Sequence, residues 1–236
     1  MARLPRLAVA GQPHLVIHRA RAGVAVFVDD TDRELYLQTL ITAARSTRVA
    51  IHAYALVDDA VLLLATPATN DALGRCMQRV GRGYVPAFNR RHGREGTLWA
   101  GRFDAAAIEP ERYLLTSLRF VEQAPVRSGT VAMARDWPWS SAGHHVGRRN
   151  SPWITEHPAY WRIGNTPFER EARHDAELRN ALNDRQIAEL RDAARRGWPL
   201  GSSAFVAAVG QTTPRATQPR PRGRPRRIPT EKEAQN

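Results

Sequence analysis

Residues 49–66 constrain the fold most: VAIHAYALV and VLLLAT flank Asp58-Asp59-Ala60. Both runs are rich in β-branched, aromatic and aliphatic side chains, and Asp-Asp is ordinary chemistry for a tight turn. Strands joined by so short a connection pair antiparallel, so Val49 to Val57 and Val61 to Thr66 are expected to form a β-hairpin.

The flanking segments supply partners for that hairpin. His14 to Ala20 reads as a strand. Asp29 to Asp32 offers a helix start, and Tyr36, Leu37, Leu40, Ile41 and Ala44 then recur at helical spacing. Asn70 or Asp71 is expected to cap a second helix, with Leu73, Cys76, Met77, Val80 and Tyr84 on its apolar face and Pro86 kinking or ending it. A loop (NRRHGREGTLWAGRF) leads to a strand near Phe103 to Ile108, and a helix runs from Pro110 to about Gln123. The order strand, helix, strand, strand, helix, strand gives an α+β, ferredoxin-like split βαβ fold, an antiparallel sheet with helices on one face and an added helix.

Residues 1–130 are expected to form this unit, followed by an aromatic- and Pro-rich wrap with helices over 131–210 and a disordered basic tail over 211–236. Asn183 with Gln186 resembles a capping box, and Gly197 makes a helix stop. No apolar run approaches the roughly 20 residues of a membrane span, and Cys76, the sole cysteine, excludes intrachain disulfides. A cytoplasmic, nucleoid-associated location is expected.

Charge narrows the partner. Thirty-five basic residues face 23 acidic ones, a net charge of +12. Seven arginines and one acid lie between Arg75 and Arg102, and six arginines and no acid between Arg215 and Arg227. These two segments account for the whole excess, whereas residues 168–196 carry seven of each sign. Clustered arginine is the footprint of a nucleic-acid partner, and a merely solvated surface mixes its signs. Arg75, Arg79 and Arg82 fall along one helix face, with Arg90, Arg91, Arg94 and Arg102 in the loop after it. This strip and Arg19 are candidates for phosphate contacts. Arg222 and Arg224, in an Arg-Gly-Arg-Pro-Arg run, resemble an AT-hook core suited to A·T-rich minor grooves.

Several ordered motifs resemble the REP-associated tyrosine transposases, relatives of the single-tyrosine HUH transposases. MARLPRLAVAGQPHLVIHR is similar to the family opening, IHAYALVDDAVLLLATP to its central hairpin and RRHGREGTLWAGRF to its basic loop. RYLLTSLRFVEQAPVRSG is similar to its nucleophile-bearing helix, and DWPWSS to the segment that follows. The resemblance covers roughly residues 1–145. It implies metal-assisted strand cleavage: two histidines on a strand hold Mg²⁺ or Mn²⁺, a helix tyrosine attacks the phosphate, and a polar residue four positions later completes the site. It also implies single-stranded or hairpin DNA as substrate.

This chain departs from that pattern at each chemical position. Ala60 and Leu62 stand at the two metal-ligand positions, Phe120 replaces the nucleophile and Ala124 its polar companion. Ala20-Arg21-Ala22-Gly23 stands where the family has a Gly-Asn-Asn turn. No catalytic residue, metal ligand or cofactor is therefore expected. Possible stand-ins are weak: His52 and Tyr54 as strand neighbours on one face, Tyr113 two helical turns before Phe120, Asp58-Asp59, and His144-His145 in a surface loop. A non-catalytic DNA-binding protein is the expected function. An active transposase using substitute residues, a homodimer, and a partner subunit pairing with an intact relative stay open.

Overall fold

The computed structural model describes residues 7–213 and 215–218. β1 (His14–Arg19), α1 (Asp30–Thr47), β2 (Val49–Val57), β3 (Ala60–Pro67), α2 (Ala72–Arg91), β4 (Asp104–Ala107) and α3 (Pro110–Glu122) follow in the expected order. The strands form one antiparallel sheet in the order β2-β3-β1-β4, the ferredoxin-like arrangement.

The hairpin runs lack polar alternation because both faces of the sheet are covered. Val49, Ile51, Tyr54, Leu56, Val61, Leu63 and Val16 pack on one side with Tyr36 and Leu40 of α1 and Val80, Tyr84 and Phe88 of α2. Leu15, Ile17, Ala53, Ala55, Leu62 and Leu64 pack on the other with Leu114, Leu118 and Val121 of α3. Leu114, Leu118 and Val121 recur four and three residues apart, which brings them onto one stripe. α1 and α2 approach closely at Gly83, where an added Cβ would meet Thr39 Cγ2 at 2.9 Å. Asp29 caps α1 by accepting from the Asp32 N–H.

α2 continues through Pro86 instead of stopping there. Proline removes only one donor, and Tyr84 and Phe88, packed on either side of it, hold the helix against the sheet. Arg90 and Arg91 therefore sit in the last helical turn, not in the loop.

Among the described residues of the extension, α4 (Ala124–Arg127), α5 (Ala142–His145), α6 (Pro158–Trp161), α7 (Pro167–Arg179) and α8 (Asp184–Arg196) follow α3, and α4, α6 and α8 add side chains to the core on its side of the sheet. α9 (Ser203–Gln211) follows them. The Asn183–Gln186 capping box is formed, and Gly197 ends α8 at φ +64°. Leu190 and Ala194 of α8 join the core beneath β4 and β1. The same extension covers both sheet edges. Along β2, Leu56 N–H donates to Trp139 O (2.9 Å) and Ser141 N–H to Tyr54 O (2.9 Å). Along β4, Leu200 N–H donates to Ala107 O (2.8 Å). Bare edges would leave backbone groups unpaired and open to strands of other chains.

Most of the basic tail, including Arg222 and Arg224, lies outside the described residues. Arg215, within them, lies 5.4 Å from the centre of the Trp198 ring. Among the described residues no helix is long and apolar enough to cross a membrane.

Candidate functional site

The four positions singled out on the hairpin and α3 converge. Ala60 and Leu62 lie on β3, one strand away from Ile17 of β1. Phe120 and Ala124, four residues apart across the α3–α4 junction, face them. All four line one pocket of about 400 Å³, with Ile17, Arg19, Val57, Asp59, Arg127, Ser128 and Arg191. The register explains this: Ala60, Leu62 and Ile17 belong to the sheet face that α3 covers.

A divalent cation does not fit this pocket. Alanine and leucine bring no donor atoms, and Phe120 has a ring without a hydroxyl. Asp59 is the one carboxylate in the lining, against the three guanidiniums of Arg19, Arg127 and Arg191. Divalent sites of this kind are built from several oxygen or imidazole ligands, and cations nearby oppose them.

Arg127 is the least ordinary of the three. Its guanidinium lies 4.4 Å from the centre of the Phe120 ring, and its Nη2 donates to Phe120 O. Its Nε and Nη1 are buried without a hydrogen-bond partner among the described residues. Burial and then the neighbouring Arg191 charge pull its pKa down to about 10. Arg191, exposed on α8, makes no ion pair among the described residues. Arg19 is held by Asp104 at 2.8 Å.

The arginine strip divides into bound and unbound groups. Arg91 bridges Asp29 (2.6 Å) and Asp32 (2.7 Å), locking the end of α2 to the start of α1. Arg75 pairs with Asp71 at 3.3 Å, Arg79 donates to Ser46 Oγ at 2.5 Å, and Arg94 lies 5.7 Å from the Phe88 ring. Arg82, Arg90 and Arg102 are exposed and make no ion pair among the described residues. The strip is also long: Arg75 and Arg91 lie sixteen positions apart on one helix, about 24 Å. It belongs to the α1–α2 layer, whereas the pocket lies on the opposite sheet face. The two meet only toward the hairpin end, where Ala100 N–H donates to Arg19 O (3.1 Å) and Arg21 N–H to Leu98 O (2.8 Å).

Of the suggested stand-ins, only Asp59 lines the pocket. Tyr113 does not line the pocket, and its hydroxyl donates to Glu189 at 2.8 Å. Asp58 occupies the hairpin turn and pairs with Arg33 at 2.5 Å. A β-bulge between Ile51 and Ala53 breaks the alternation expected to put His52 and Tyr54 on one face. The His52 ring meets Thr155 O (2.6 Å) and Thr66 Oγ1 (2.7 Å), and burial pushes its pKa down to about 4.

His145 overturns its expected place in a surface loop. It lies on α5, 3% exposed, with Nδ1 2.5 Å from Glu122 Oε1. His174 Nε2 lies 2.6 Å from Glu122 Oε2, and Ser141 Oγ donates to Oε1 at 2.5 Å. Burial alone would raise the Glu122 pKa, but the two facing imidazoles and their hydrogen bonds hold it well below the usual carboxylate range. Both carboxylate oxygens are satisfied, and the cluster ties α3 to α5 and α7 in a closed interior. Sequence reasoning missed it, though one signal was present: Glu122 falls four residues after Leu118, on the apolar stripe of α3.

The class that fold and pocket define is a ferredoxin-like α+β domain with an arginine-lined pocket between the sheet and α3. Among solved structures, a REP-associated tyrosine transposase bound to a REP hairpin is similar, at 19% identity and TM-score 0.53, over 67% of this chain and 96% of that chain. A Deinococcus radiodurans R1 crystal structure described as a transposase matches at 18% identity and TM-score 0.33, over 55% of this chain and 98% of that one. The first likeness supports the fold. No protein-family model and no curated protein matches the chain.

Proposed function

We propose that this chain is a DNA-binding protein on a transposase-type fold that does not cleave DNA. The observation that carries this reading is the convergence of Ala60, Leu62, Phe120 and Ala124 on one pocket. They stand at the positions of the metal ligands, nucleophile and polar companion in the resembled family, and none has an atom for those roles. The basic surface supports binding: exposed Arg82, Arg90 and Arg102 can each contact phosphate, giving affinity without sequence information. A hairpin is the ligand of the structurally similar transposase, so single-stranded or hairpin DNA is the first candidate target here.

The test is a paired assay on purified full-length protein. Labelled hairpin-bearing single-stranded DNA is incubated with Mg²⁺ or Mn²⁺ and run on native and denaturing gels. The expected result is a native shift that weakens steeply with salt, with no cleaved strand and no covalent adduct. A denaturing-resistant adduct overturns the non-catalytic part, and absence of any shift overturns the DNA-binding part.

A further inference from the structure

We infer that the pocket between β1, β3, α3–α4 and α8 is a metal-independent phosphate site, in which Arg127 and Arg191 bind one oxyanion group. This rests on the DNA-binding reading above, in which the phosphate comes from a DNA strand.

Three observations carry it. The cavity, at about 400 Å³, has room for a phosphate and part of its sugar. Arg127 lines it, and its guanidinium makes no ion pair among the described residues. Finally, Arg191 approaches Arg127 from α8 with no acid pairing either of them. Asp59, the only acid in the lining, is exposed, and Arg19 is already paired with Asp104.

Two guanidiniums converging without an acid repel each other, and an oxyanion between them converts that repulsion into two charge-assisted contacts. Ile17, Val57, Ala60 and Leu62 line the sheet side and give an apolar surface for the sugar. Arg191 comes from the C-terminal extension, so the site needs both the four-stranded core and α8.

The experiment measures anisotropy of labelled hairpin-bearing single-stranded DNA against the full chain, with EDTA or with Mg²⁺, across a salt series. Arg191→Glu and Arg191→Lys are compared with Arg82→Ala. Arg191 is exposed, so its replacement leaves the fold in place, which a thermal melt checks. The expected result is affinity indifferent to EDTA, weakened at least tenfold by Arg191→Glu and largely kept by Arg191→Lys, with the salt slope falling by about 0.7 for the lost contact. If Arg82→Ala weakens binding and Arg191→Glu does not, the pocket inference falls while the DNA reading stands. If the wild-type chain binds no DNA, that reading falls, and inorganic phosphate decides the pocket. Phosphate stabilisation in a thermal melt, abolished by Arg191→Glu, keeps the oxyanion site; its absence overturns it.

Discussion

The guanidinium of Arg127 caps the ring of Phe120 at 4.4 Å from its centre and is tied to the same residue's carbonyl. Phe120, which the proposed function places at the nucleophile position of the resembled family, is thus a buried ring, 1% exposed, with a cation over its face. Restoring the oxygen alone leaves Asp59 as the single carboxylate in a pocket lined by three arginines. Phe120→Tyr is therefore expected to give no covalent adduct with hairpin DNA in Mg²⁺ or Mn²⁺, read on a denaturing gel; an adduct would show that the remaining groups suffice. Phe120→Ala should cost about 3–5 kcal/mol in denaturant unfolding, as for other buried aromatic truncations.

Glu122 anchors three helices through its two carboxylate oxygens. Glu122→Ala leaves His145, His174 and Ser141 buried without their acceptor, and a loss of about 3–5 kcal/mol is expected. Unfolding in urea, followed by circular dichroism, measures it. A cost under about 1 kcal/mol would mean that the cluster is not what joins α5 and α7 to α3.

His14 is buried as a neutral ring. Gln12 O lies 2.8 Å from its Nδ1, and its Nε2 accepts from the Val9 N–H at 3.2 Å, so a second ring proton would face another donor. Burial pushes its pKa from 6.5 down to about 4. A lowered value means the folded state binds the proton less well than the unfolded chain. The contribution of His14 is therefore complete above about pH 6.5 and lost as pH falls toward 4, roughly 3 kcal/mol in all. Glu122 also has a lowered value, and its loss begins below its ordinary 4.5. Melting temperatures from pH 7.5 to 4.5 should fall first through the window that His14 shares with His52, whose pKa burial lowers equally. His14→Gln should make that portion shallower and leave the His52 part, and an unchanged pH profile would refute the assignment.

Arg91 and Arg82 separate structural from surface arginine on one helix. Arg91→Ala removes the bridge to Asp29 and Asp32 and should lower the melting temperature. Arg82→Ala should leave the melting temperature unchanged while weakening DNA binding and reducing its salt slope. Equal effects of both changes on stability would remove the distinction.

The element order and hairpin boundaries were legible because they rest on local signals. Val49–Val57 carries β-rich apolar residues, Asp29 and Asn183 are side-chain caps, and Gly197 adopts a left-handed helix end. The α2 boundary was misread because Pro86 removes a local hydrogen bond while packing of Phe88 beyond it supplies more. His145 was misplaced for a similar reason. A histidine pair in a polar stretch reads as surface, and its partners Glu122 and His174 lie 23 and 29 residues away.

The sequence by itself determined the four-stranded order, the excess of arginine and the four side chains lacking chemistry, since identity and short-range periodicity are written in the chain. Only the tertiary structure decided which arginines are spent on internal pairs. It alone brought Ala60, Leu62, Phe120 and Ala124 to one pocket and set Arg191 of α8 beside Arg127. Those relations depend on sheet register and on helices docking across long sequence separations, and no local pattern encodes the distance between two side chains on different elements.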